Sequence, residues 1–233
     1  MRFKTVFFDA GETLVHPHPS FPELFSKVLA EHGHAVDPER VRERMHVVSE
    51  RFKQAAEGRE LWSTDAGRSR EFWLSVYRLF LEDARIPSEE GLDVVLYAVF
   101  SDHANYALFD DVEPALAALE AAGVSLGVIS NFEDWLEVLL ERLDVTRYFP
   151  VRVISGVVGV EKPDPRIFEL ALEQAGVAAE GAVYVGDSPH FDVGPAVAVG
   201  MFPVLIDRRD RFADPEIGAR IRSLDELPAL IGI

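Results

Sequence analysis

The chain gathers polar residues where apolar runs end, in four places. Asp9 closes the run from Thr5 and is followed at once by Ala10, Gly11 and Glu12. Ser130 and Asn131 close a second run, Lys162 sits in Glu161-Lys162-Pro163-Asp164-Pro165, and Gly186-Asp187-Ser188 is followed by Asp192. A carboxylate at the end of an apolar strand is awkward to bury without a partner, so the first group reads either as a strand delivering a nucleophile or as a turn. The other groups have ordinary structural readings as well. Ser130 and Glu133 have capping-box spacing, Lys162 reads as a solvated loop lysine, Asp187 as a helix N-cap and Asp192 as a first-turn acid. Together, in this order, they suggest one site.

Elements must position these groups. Strand-like runs recur at 5–9, 124–130, 151–155, 182–187 and 202–207, with helix-like segments between them from Val112 onwards. Such alternation predicts a parallel sheet, and runs apolar at both alternating positions predict burial on both faces, as in a doubly wound α/β sheet. Sheets of this kind bind ligands at the carboxyl ends of their strands, where the four polar groups fall. Residues 21–105 break the alternation with four helical stretches, near 21–32, 37–57, 66–84 and 88–104, and predict an inserted helical bundle. The expected division is a core of residues 1–17 and 106–233 and a helical domain of residues 18–105.

A length of 233 residues fits one large core with a sizeable insertion. The formal charge of −17 disfavours nucleic acid and anionic membrane as partners, and no Lys/Arg block is visible to offset it. The longest uninterrupted apolar run, Val94 to Phe100, is far below the roughly 18 residues of a membrane span, so a cytoplasmic protein is expected. The absence of cysteine excludes disulfides, thiolate catalysis and cysteine-bound zinc.

The ordered set resembles the four motifs of the haloacid dehalogenase-like hydrolase superfamily, in the group with a helical cap inserted after the first motif. The matching residues are Asp9 and Thr13 in DAGETL, Ser130 in VISN, Lys162 in EKPDP, and Asp187 with Asp192 in GDSPHFD. The resemblance covers essentially the whole chain. It implies a Rossmann-like catalytic core and a Mg²⁺-dependent phosphatase of a small phosphorylated metabolite, in which Asp9 forms an aspartyl-phosphate that water then hydrolyses. Asp9, the Gly11 backbone carbonyl and Asp187 resemble the family's metal ligands, with Asp192 behind them or as a further ligand. Lys162 would balance the acidic cluster and hold Asp9 ionised. Ser130 and the Asn131 amide would bind the phosphoryl oxygens, with Thr13 and Lys162 completing the substrate-binding set.

The family's phosphatases usually carry a second aspartate two residues after the nucleophile, a general acid/base contributing roughly 10² to 10⁴ in rate. This chain has Gly11 there. Glu12 is a candidate replacement if its loop turns it inward, and His16 is another because its ordinary pKa suits proton transfer at neutral pH. His190, inside the fourth motif, either joins them or faces solvent. The missing aspartate keeps open a catalytically weak or non-catalytic binding protein. It also keeps open a 2-haloacid dehalogenase, whose branch has an aromatic at this position and uses no metal, and a phosphonatase, for which Lys27 and Lys53 are the available cap lysines. His46, Arg51, Trp62 and Arg68 are candidate substrate contacts in the cap.

Overall fold

The computed structural model describes residues 3–58, 60–87, 91–213 and 215–233. The chain divides into two compact units, residues 1–15 with 108–233, and residues 16–107. Among the described residues eight strands follow in chain order: β1 Thr5–Phe8, β2 Val15–Pro17, β3 Tyr106–Leu108, β4 Ser125–Ser130, β5 Val151–Ile154, β6 Ala182–Gly186, β7 Phe202–Ile206 and β8 Ala219–Ile221. Six of them form one sheet in the order β5-β4-β1-β6-β7-β8, with every neighbouring pair parallel. The doubly wound sheet expected from the apolar runs is therefore present, with β8 added at its edge, where Ala-Arg-Ile has no apolar run to announce it.

Burial on both faces explains the strand compositions. Val6, Phe7 and Phe8 on the central β1 have no exposed surface. Phe7 packs among Ile129, Val153, Ile167, Phe168 and Tyr184, while Phe8 meets Phe149 edge-on at 6.3 Å. Gly127 in β4 lets the sheet close over Phe7, since a Cβ there would lie 2.6 Å from its ring. Phe8 stands opposite Val128 on β4 and Val185 on β6. The three adjacent strands consequently release Asp9, Ser130 and Asp187 at one edge of the sheet.

The second unit is helical: α1 Phe21–Glu31, α2 Pro38–Glu43, α3 His46–Glu57, α4 Ala66–Asp83 and α5 Leu92–Phe100. Its core is strongly aromatic, with Phe21 stacked on Phe100 at 4.7 Å and Trp62 on Phe72 at 4.8 Å. The single helix expected over 37–57 is two helices meeting at Arg44 and Met45. Val41, Met45, Val48, Phe52 and Ala55 keep helical spacing straight through that junction, so the apolar pattern carries no mark of it. The last stretch, expected at 88–104, is helical from Leu92 to Phe100, and its residues 88–90 lie outside the described residues.

Both chain crossings between the units are extended, and β2 and β3 form a two-stranded ribbon there. Among the described residues six α-helices complete the first unit: α6 Val112–Ala121, α7 Leu136–Arg142, α8 Ser155–Val158, α9 Pro165–Ala175, α10 Gly194–Ala198 and α11 Leu227–Ile231. Among the described residues no helix is long and apolar enough to cross a membrane.

Candidate active site

Asp9 leaves β1 with its carboxyl almost buried, at 7% exposure. Its Oδ1 accepts from Ser130 Oγ at 2.9 Å and from Lys162 Nζ at 2.8 Å. Its Oδ2 has no donor among the described residues and is the oxygen left for chemistry. Lys162 Nζ also donates to Asp192 Oδ1 at 2.7 Å and to the Tyr184 hydroxyl at 3.0 Å, so its three N–H groups meet three acceptors. The Tyr184 hydroxyl lies 2.9 Å from the Ile129 carbonyl and 3.0 Å from Asp192 Oδ1, either of which takes its single proton. Asp192 is closed off on its other side, where Oδ2 accepts from the Ser188 amide at 2.8 Å.

Local sequence explains this geometry. Gly186 is required because a Cβ there would overlap the Asp192 carboxyl. Ser188, and not Asp187, caps the turn that follows, its Oγ accepting from the Phe191 amide at 3.2 Å. Asp187 is thereby free of capping work. Ser130 makes no capping box either: the next helix starts only at Leu136, and the hydroxyl is spent on Asp9. The Asn131 side chain clasps the backbone of Lys162, donating to its carbonyl at 2.8 Å and accepting from its amide at 2.6 Å. Ser155 does the same for the neighbouring loop, its Oγ accepting from the Phe132 amide at 3.0 Å and donating to the Phe132 carbonyl at 3.1 Å.

The electrostatics ask for a cation. Asp9, Asp187 and Asp192 each offer a carboxylate oxygen, all within 4.8 Å of one another, against the one ammonium of Lys162. Burial pushes the Asp187 carboxyl well above its ordinary range, and the charges of Asp192, Asp9 and Glu12 push the same way, with Arg211 opposing. Asp9 is also raised, by burial first and by Asp192, against the opposing charge and hydrogen bond of Lys162. Lys162 works as expected in favouring the ionised Asp9, with desolvation as the larger opposing effect. Burial would lower Lys162, but Asp192 and Asp9 overcome this and keep it charged. Even with Arg211 counted beside Lys162, the three carboxylates leave a negative, partly desolvated pocket with all-oxygen donors, which fits a hard divalent cation of the magnesium kind. Asp187 and Asp9 Oδ2 are the open carboxylate oxygens, and the Gly11 carbonyl has no donor among the described residues. Asp192, with both oxygens engaged, supports this set from behind.

A haloacid dehalogenase-like hydrolase family model matches residues 3–200. The chain belongs to that family. Over 166 residues it is 36% identical to the phosphoserine phosphatase of Thermus thermophilus, covering 71% of this chain but only 65% of that protein. A haloacid dehalogenase-like hydrolase domain-containing protein 3 from Danio rerio is 29% identical over 231 residues, covering 96% of this chain and 94% of its own. The crystal structure of a magnesium-bound HAD-hydrolase from Bacillus subtilis shares the fold at 17% identity, with a TM-score of 0.79 and full coverage of both chains.

The family's four motifs thus converge in this hydrolase through Asp9, Ser130, Lys162, Asp187 and Asp192. Other expected residues are placed differently. Thr13 has no exposed surface, and its carbonyl accepts from Arg208 Nη2 at 2.8 Å. Glu12 sits in the left-handed region at φ 55°, and its Oε2 accepts from Arg209 Nη2 at 2.8 Å. His16 has its Nδ1 2.8 Å from the Pro17 carbonyl, and His190 is exposed. In the helical unit, Trp62 is buried in the aromatic core. Arg51 donates to Ser75 and Glu60 and lies over the Phe72 ring, Arg68 pairs with Asp65, and His46 Nδ1 lies 3.0 Å from the Glu43 carbonyl. Lys27 is exposed and Lys53 faces Glu57 at 3.9 Å, so neither has the desolvated setting that activates a Schiff-base lysine.

Sequence reasoning missed two contributors. Tyr184 is a phenol inside an otherwise aliphatic strand, buried at 1% exposure, and burial followed by the nearby Asp192 and Asp9 charges raises its pKa well above the ordinary value, keeping it a neutral donor. The second is the loop after β7, Arg208-Arg209-Asp210-Arg211. Three arginines in four residues of an acidic chain are the basic block that a search for longer runs overlooks. Arg208 pairs with Asp111 at 2.7 Å, Arg209 holds Glu12, and Arg211 Nη2 reaches Asp187 Oδ2 at 3.5 Å.

Proposed function

We propose that this hydrolase is a Mg²⁺-dependent phosphatase of small phosphorylated metabolites, working in the cytoplasm through an aspartyl-phosphate on Asp9. The observation that carries the reading is Asp9 itself: buried, held by Ser130 and Lys162 through one oxygen, with the other oxygen open beside Asp187. Asp9, Asp187 and the Gly11 carbonyl would hold the cation, which supplies neutralisation of the phosphoryl oxygens when bound. Asp9 Oδ2 attacks phosphorus, the phosphorus–oxygen ester bond breaks, and its electron pair leaves with the alcohol oxygen. Water then attacks phosphorus, releasing phosphate and restoring the carboxylate. The Asn131 backbone amide binds a phosphoryl oxygen, and Ser130 and Lys162 fix the Asp9 carboxylate for in-line attack. The helical unit is assigned the cap's role of choosing the substrate. A charge of −17 favours small ligands held by local cations over nucleic acid or anionic membrane.

The test is a phosphate-ester screen with and without Mg²⁺. Turnover that needs the metal and disappears in Asp9→Asn is expected, and unchanged turnover in that variant removes the assignment. One observation favours a second reading, a weak or non-catalytic member: Gly11 carries no acid/base and Glu12 is held by Arg209. Substantial turnover on any ester would exclude it. Halide release from 2-chloropropionate in EDTA would instead mark a dehalogenase.

A further inference from the structure

The loop Asp207 to Phe212 is unusually well fastened for a surface segment. The Phe212 amide donates to Asp207 Oδ2 at 2.8 Å, closing the loop on itself. Arg220 donates to Asp207 at 3.3 Å and to Asp210 at 2.7 Å, and Arg222 donates to Asp210 at 2.7 Å. Arg208 is anchored twice, by the Asp111 carboxylate and by the Thr13 carbonyl, with its guanidinium 3.9 Å from the centre of the Phe109 ring. Such fastening fixes the two remaining arginines of the loop, whose side chains stay 37% and 41% exposed. Arg209 rests on Glu12, next to the open backbone of Gly11, and Arg211 rests on Asp187.

Charge counting shows what Arg211 does when the site is filled. Asp187 belongs to the carboxylate triad that would hold the cation, and a divalent ion outbids a guanidinium for a carboxylate at 3.5 Å. Arg211 Nη2 then loses its partner while Nε stays 3.8 Å from the Asp207 carboxylate and the loop still holds the side chain at the rim, one carboxylate away from Asp9. A guanidinium pre-positioned in this way, with its Nη edge open, recognises a planar carboxylate through two parallel hydrogen bonds. A phosphoryl group seated on Asp9 need not engage both the cation and this arginine. A substrate with a second anion a few bonds from the ester can engage both.

We propose that Arg211, steadied by the loop and flanked by Arg209, is a specificity-determining residue that selects phosphorylated carboxylic acids over phosphate esters lacking a carboxylate. The proposal rests on the phosphatase reading and deepens it.

The test uses 3-phosphoglycerate and glycerol 3-phosphate, which differ by a carboxylate in place of a hydroxymethyl group. The native protein should favour the first by about tenfold or more in kcat/KM, carried by KM, a factor within the range of a charge-assisted pair. Arg211→Gln should erase that preference, bringing kcat/KM for the two compounds to within about twofold of each other; Arg211→Lys should keep part of it. Calorimetric titration of both compounds into Mg²⁺-loaded Asp9→Asn protein gives the same comparison without turnover. Titration of Mg²⁺ alone should show tighter binding in Arg211→Gln, because the competing cation is gone. Equal use and equal binding of the two compounds by the native protein, or a preference that survives in Arg211→Gln, would overturn the proposal and leave the phosphatase reading standing. Failure of the native protein to turn over any ester would count against that reading, and the calorimetric comparison would still decide for or against Arg211.

Discussion

Asp187 is the residue whose charge this site accommodates least well. Its carboxyl is pushed well above the ordinary range by burial and by three neighbouring carboxylates, and Asp9 is raised alongside it. A folded-state pKa above the unfolded value means the native state binds the proton more tightly, so stability is greatest below the ordinary carboxylate pKa and falls as pH rises through the raised one. Asp187→Asn should therefore raise the melting temperature of the metal-free protein near pH 7 by roughly 2 to 4 °C per kcal/mol relieved, and the gain should vanish by about pH 4. A melting curve unchanged at pH 7 would show that Arg211 already offsets the strain. Gly11 offers the opposite kind of experiment. A Cβ at this position meets nothing within 4 Å, and its backbone is not left-handed, so the main chain accepts a side chain there. Gly11→Asp should increase phosphate release by about 10² if a proton donor is what limits the rate. Glu12→Gln, in contrast, should leave the rate and its pH profile intact, since Arg209 already holds that carboxylate.

At the scale of elements, the arginine loop, the start of α6 and the turn after β1 share one fastening. Asp111 accepts from both Arg208 nitrogens at 2.7 and 2.9 Å, from Ser223 Oγ at 2.8 Å and from the Leu224 amide at 2.8 Å. Burial alone would raise this carboxyl, but those donors bring it below its ordinary value. Its contribution to stability is thus present above the unfolded pKa and lost as pH falls through the folded one. Asp111→Ala should cost about 3 kcal/mol or more, measured by urea unfolding at neutral pH, because it strands Arg208 in a partly buried place. The same elements show what a sequence can and cannot disclose. β1, β4, β5, β6 and β7 are legible because double-sided burial writes itself as unbroken apolar runs. β2, β3 and β8 are three residues each and depend on neighbours far along the chain. The nucleophile and its lysine are legible as strand-end and loop polar residues. Tyr184 is hidden because a buried phenol and a buried phenylalanine look alike in an apolar strand. The opposite fates of Ser130 and Ser188, one spent on Asp9 and the other on a turn, depend on which backbone amides lie within reach, and spacing alone does not report that.

Over the whole molecule, the excess of acids is general, but the unmet part of it is local. Asp9 and Asp192 share the one ammonium of Lys162, and Asp187 beside them has only the more distant guanidinium of Arg211. Mg²⁺ at a hundredfold excess over its dissociation constant should add about 2.7 kcal/mol to the unit that holds the triad. That is a rise of roughly 5 to 10 °C in its melting temperature, reversed by EDTA. The same addition to Asp187→Asn should produce little or no rise.

The clasp between Asn131 and position 162 grips main chain only, at both the carbonyl and the amide. Whatever side chain is installed at 162 will be presented at the same spot, since its anchorage ignores its identity. The protein has in effect a socket: methionine, glutamine or an unnatural amine could be exchanged for the lysine there, and the nucleophile's electrostatic surroundings retuned, with the loop itself left in place.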